Sequence, residues 1–172
     1  LWAHEGIIRC AGLTGNYNLK AQSQKKLLET LTPTAELWCD YGETLIRTGE
    51  FDQAQIAFEK AAKLDPTCVR AYQAPELISL ERARAEGEKL VEQAKAAIEK
   101  KFFLTAGERL EKALEFVPTE IKWKKLLAEV SLKTAEISQA SGLLAKIRAS
   151  DPDDYKISYE LARTYELSLI HI

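Results

Sequence analysis

Large and small apolar residues step by threes and fours along much of the chain, as in Trp38, Tyr41 and Leu45 and again in Ala54, Phe58 and Ala61. That is the period of an α-helix with one buried face. Between the two runs stands Thr48-Gly49-Glu50. Gly49 is the residue best able to take the left-handed conformation at a helix end. After the second run comes Asp65-Pro66, where proline disfavours the helical conformation of its predecessor and cannot donate to the preceding turn. The pattern predicts two antiparallel helices. Gly42 and Ala54 are the small residues that let them approach, and Trp38, Leu45 and Phe58 fill the space on either side.

The pattern repeats with a period of 34: Gly15 recurs as Gly49, Tyr17 as Phe51, Ala94 as Ala128 and Ala162, Leu127 as Leu161, Ala106 as Ala140, Leu110 as Leu144, and Pro118 as Pro152. Pro66 and Pro118 stand 52 apart, one period plus 18 residues, so a segment is inserted between the first clear unit and the next. There Pro75 suits a first helical turn. A short helical piece over Val69–Gln73 is expected, then a long helix from near Pro75 with Leu77, Ile78, Leu80, Gly87, Val91, Ala94 and Ile98 on one side. Arg82 and Arg84 weaken that stripe.

The run Trp38, Tyr41, Gly42, Leu45, Ala54, Phe58, Ala61, Pro66 resembles the tetratricopeptide repeat, with Tyr41 in the place of the family's leucine and Leu45 in that of its tyrosine. The resemblance implies an all-α, right-handed superhelical array of antiparallel helix pairs. In that register the expected organisation is an imperfect repeat over 1–33, a clear repeat over 34–67, an inserted helical extension over 68–86, degenerate repeats over 87–120 and 121–154, and the first helix of a further repeat over 155–166. In the 121–154 unit Ile147 stands where the family prefers alanine and Trp123 comes one residue early, so its packing is expected to deviate. Tyr155, Ile157, Leu161, Ala162 and Tyr165 read as the apolar side of the last helix.

Residues 167–172, Leu-Ser-Leu-Ile-His-Ile, break the pattern and match the in-frame translation of a common sequencing-library adapter. The natural sequence is expected to end near Glu166. A first residue that is leucine, in a chain with no methionine, points to an N-terminus upstream. An array left open in this way is expected to fray or self-associate at its ends.

Composition narrows the chemistry. A net charge of −2 leaves no basic footprint for nucleic acid, and no stretch approaches the roughly 18 apolar residues of a membrane span. No signal-peptide pattern opens the chain. Cys10, Cys39 and Cys68 lie 29 apart each time, unlike a metal or redox Cys-x-x-Cys pair, and an odd number of separated cysteines points to free thiols in a reducing compartment, hence the cytoplasm. His4 has no sequence neighbour with which to form a catalytic pair, and His171 belongs to the suspected adapter. No phosphate loop, nucleophile elbow or His-Glu-x-x-His occurs. Neither an enzyme nor a cofactor or metal is expected.

What stacked helix pairs offer is a concave surface lined by first helices. Family resemblance implies as groove positions Glu36, Cys39, Asp40, Glu43 and Arg47; Glu88, Val91, Glu92, Lys95 and Glu99; Lys122, Lys125, Leu126, Glu129 and Lys133; and Lys156, Tyr159, Glu160 and Arg163. Their charges sum to −2, −2, +2 and +1 in turn, which predicts a bipolar groove. The subgroup that grips acidic chaperone tails uses Lys and Asn, then Asn, then Lys and Arg. This chain has Cys39 and Glu43, Glu92, and Lys122 and Leu126 there, so a carboxylate clamp is not expected. The expected function is a non-catalytic protein-interaction scaffold holding a partner's peptide or helix. The alternatives are a docking module of a larger enzyme or signalling protein, and a nucleic-acid-binding helical repeat, against which the acidic half of the groove stands.

Overall fold

The computed structural model describes residues 2–150, 152 and 154–170, without the side chains of residues 2–4, 155, 161, 165 and 167–170. The expectations for His4, Tyr155, Leu161, Tyr165 and the side chains of 167–172, His171 included, therefore lie outside the described residues. All regular structure among the described residues is α-helical: α1 Trp2–Thr14, α2 Tyr17–Thr30, α3 Ala35–Thr48, α4 Phe51–Leu64, α5 Val69–Glu99, α6 Phe103–Phe116, α7 Ile121–Lys133, α8 Ile137–Ser150 and α9 Tyr155–Ile170. The chain forms two compact units, Leu1–Arg82 and Ala83–Ile172.

Four helix pairs close through one shared device. Gly15, Gly49, Lys101 and Ala135 all take positive φ, at 70°, 81°, 62° and 60°. In each turn the next residue donates its backbone N–H five residues back: Asn16 to Ala11, Glu50 to Leu45, Phe102 to Ala97 and Glu136 to Ser131, all at 2.9 Å. This 6→1 bond satisfies a carbonyl that the helix end would otherwise leave without a donor. The next helix begins one residue later, at Tyr17, Phe51, Phe103 or Ile137. So short a link leaves the paired helices no course but antiparallel packing. The left-handed positions are 34, 52 and 34 residues apart, the spacing of the sequence pattern with its single insertion.

In the first unit α1 packs on α2, α2 on α3 and α3 on α4. Its core holds Leu28, Tyr41, Leu45, Ala54, Phe58 and Ala61, joined by Ala71, Ala74 and Ile78 of α5. A Cβ on Gly42 would lie 2.7 Å from the Phe58 ring, so the absence of a side chain there is what seats the ring. Trp38 is half-buried and packs at the edge of this core, not within it.

In the second unit Val91, Ala94 and Ala97 of α5 pack with Ala106, Leu110 and Ala113 of α6 and with Trp123, Leu127 and Val130 of α7. Trp123 explains its own early position: a Cβ on Gly87 would lie 2.4 Å from its ring, so the indole occupies the gap that this glycine leaves. Ile147, also atypical for its place, is fully buried in a separate cluster with Ala128, Leu144 and Ile157.

α5 corrects one expectation. It runs unbroken from Val69 to Glu99 with Pro75 inside it. An interior proline costs about 3 kcal/mol through a lost hydrogen bond and a ring clash. Burial of Ala71 and Ala74 on one side of it and Ile78 on the other offsets that cost by holding both segments against the same core. Leu77 and Leu80, expected on the stripe, are instead exposed, Leu80 at 57%. The buried face steps through 71, 74 and 78, which turns residues 77 and 80 outward. Arg82 reaches Asp52 at 2.7 Å and Arg84 reaches Glu120 at 3.3 Å, each pair within its own unit.

Candidate functional site

The polar face of α3 places Glu36, Asp40, Glu43 and Arg47 one turn apart on one side, with Glu36, Glu43 and Arg47 exposed. Arg70, from the first turn of α5, meets Asp40 at 2.7 Å and Glu43 at 2.6 Å. The two carboxylates raise the guanidinium's pKa further, mainly through these hydrogen bonds. The four α3 charges sum to −2, and Arg70 brings the cluster to −1.

Cys39, expected on this face, is fully buried, because α5 and the residues before it cover it. Its Sγ lies 3.5 Å from that of Cys68. Burial, and then the contact with Cys68, push its thiol up to about 12.

On α5, Glu88, Glu92, Lys95 and Glu99 are exposed, and Lys95 pairs with Glu92 at 2.6 Å. Val91 is 6% exposed and belongs to the core, so it does not line a groove. On α7, Lys122, Glu129 and Lys133 are exposed, while Leu126 packs against the core. Lys125 donates to Asp154 at 2.8 Å. That contact, with the N–H groups of Ile157 and Lys156, holds the Asp154 carboxyl below its ordinary range. On α9, Lys156, Tyr159 and Arg163 are exposed, Tyr159 at 68%.

The structure brings part of the expected set together. A cleft of about 380 Å³ is lined by Glu129, Leu132 and Lys133 of α7 and Glu160, Arg163 and Thr164 of α9. A smaller one of about 80 Å³ shares Glu129 and Glu160 and adds Lys125, Leu144, Asp154, Lys156 and Ile157. The α7 and α9 charges sum to +3, and Asp154 lowers this to +2. The α5 face of the same unit stays at −2. Leu132 and Thr164 were not anticipated; Thr164 stands one period after the buried Val130, which is the signal that could have found it.

The first unit holds a separate cavity of about 290 Å³, lined by Lys25, Leu28, Glu29, Trp38, Tyr41, Gln53, Ile56, Ala57 and Lys60. Lys60 Nζ lies 4.3 Å from the centre of the Trp38 ring, a cation–π contact. Among the described residues no group of three or more His, Cys, Asp or Glu side chains is placed to hold a metal ion. No helix among them is long and apolar enough to cross a membrane.

Paired helices joined by a recurring left-handed turn define an all-α helical-repeat protein. Residues 35–68, which carry the Trp38-to-Pro66 pattern, match the family model described as tetratricopeptide repeat. The chain thus carries a tetratricopeptide repeat at 35–68. Solved structures with similarity include the MamA fragment from Desulfovibrio magneticus RS-1, 16% identical over 88% of this chain and 96% of that one, with a TM-score of 0.45. Another is the TPR domain of P58(IPK), 17% identical over 97% of this chain and 55% of that one, TM-score 0.44. A third is a tetratricopeptide repeat protein from Parabacteroides merdae ATCC 43184, 13% identical over 98% of this chain and 74% of that one, TM-score 0.43. No curated protein sequence matches.

Proposed function

We propose that the chain is a non-catalytic protein-interaction scaffold that holds an extended peptide or a helix of a partner protein along the α7 and α9 faces of its second unit. The observation that carries this reading is the cleft between α7 and α9, where Lys133 and Arg163 stand beside Glu129 and Glu160 over Leu132 and the buried Thr164. Leu132 supplies apolar contact, and alternating charges on the rim set register and orientation. The acidic residues of α5 and the net positive charge of α7 and α9 favour a bipolar ligand whose acidic part meets α7 and α9. A chaperone-tail clamp is disfavoured because Glu92 opposes a carboxylate. Nucleic acid is disfavoured by the acidic α5 face.

Selection of a displayed peptide library on the immobilised chain tests the reading. Selected peptides are expected to carry acidic residues and to lose about tenfold or more in affinity on Lys133→Glu with Arg163→Glu, a difference of about 1.4 kcal/mol. Peptides indifferent to that double variant would overturn the proposal.

A further inference from the structure

We propose that Cys39 and Cys68 form a redox-modifiable dithiol, which hydrogen peroxide converts to an intramolecular disulfide joining α3 to the start of α5. The two thiols are 29 residues apart in sequence, yet their sulfurs are in contact at 3.5 Å. A covalent S–S bond is about 2.0 Å long, so the two sulfurs need to approach by about 1.5 Å to bond.

Their surroundings set the order of reaction. Cys39 is fully buried, whereas Cys68 is part-exposed just before α5, its carbonyl accepting from the N–H groups of Ala71 and Tyr72. Peroxide therefore meets Cys68 first. Its sulfur attacks one peroxide oxygen, the O–O bond breaks, and Cys68 becomes a sulfenic acid as water leaves. The Cys39 sulfur then attacks the sulfenic sulfur; the S–S bond forms, and the departing hydroxide takes the Cys39 proton as a second water. The balance is two thiols and one peroxide to one disulfide and two waters. Burial, which holds the Cys39 thiol protonated, leaves it the resolving partner and not the first to react.

The same segment bears on the charged face of α3. Asp40 follows Cys39, and Arg70, two residues beyond Cys68, grips Asp40 and Glu43. A bond between the two sulfurs anchors the root of that clamp.

The test exposes the full chain to one equivalent of hydrogen peroxide, then counts thiols and maps the peptides by mass. Two of three thiols are expected to disappear, with Cys39 and Cys68 in one cross-linked peptide that dithiothreitol separates, and Cys10→Ser should change nothing but the count. In Cys68→Ser, Cys39 should stay a thiol, and in Cys39→Ser, Cys68 should be trapped as a sulfenic acid by dimedone. Any of three results overturns the proposal: Cys68 reaching sulfinic acid while Cys39 stays reduced, Cys39 reacting equally fast in Cys68→Ser, or linkage between copies through Cys10.

Discussion

At four points among the described residues the backbone turns left-handed, and two of them carry glycine. Gly15 and Gly49 were legible as turns because no other residue enters that region so easily. Lys101 and Ala135 carry no such signal, and only the 34-residue period marks them. A side chain there strains the backbone by about 1–2 kcal/mol. Lys101→Gly and Ala135→Gly are each expected to raise stability by about 0.5–1 kcal/mol once the greater freedom of the unfolded chain is deducted, and Gly49→Ala to lower it by about 1 kcal/mol. Urea denaturation midpoints check all three. Gly87→Ala forces a Cβ to within 2.4 Å of the Trp123 ring and is expected to cost about 1–3 kcal/mol, part of which Trp123→Phe should restore.

Among the elements, α5 departs furthest from what its residues announce. Pro75 reads as a helix start, and nothing local shows that the α3–α4 core holds helix on both sides of it. Pro75→Ala is expected to stabilise the chain by about 2 kcal/mol, checked by the same denaturation. Long-range packing also hid the fate of Cys39. Its register marks an exposed groove position, but covering residues from an inserted, non-repeating segment cannot be inferred from the repeat. Arg70 was illegible for the same reason, whereas Glu129, Lys133 and Arg163 were found because their helices keep the period. At the start of α9, the Asp154 carboxyl has a folded pKa below its ordinary 3.8. Its contribution is present above that ordinary value and is lost as pH falls through the lower folded one. Acidification below about 4 should therefore loosen α9 first, and the protection of the Ile157 and Ser158 amides, corrected for the intrinsic pH dependence of exchange, should fall, while in Asp154→Asn it stays flat over that range.

For the molecule as a whole, each apolar cluster lies within one of the two units. Two denaturation midpoints are expected in place of one, because the cores do not share residues. The tryptophans make this visible without a label. Trp38 sits in the wall of the first unit's cavity under the Lys60 ammonium, and Trp123 is sealed against Gly87 in the second. With Trp2 replaced by phenylalanine, Trp38→Phe leaves an emission that follows the second unit alone, and Trp123→Phe leaves one that follows the first. Acrylamide should quench the half-buried indole far more than the sealed one. With Trp2 replaced the chain thus carries one optical reporter per unit, and that of the first is set where any molecule entering its cavity must displace water or the lysine and so change the colour and intensity of the light.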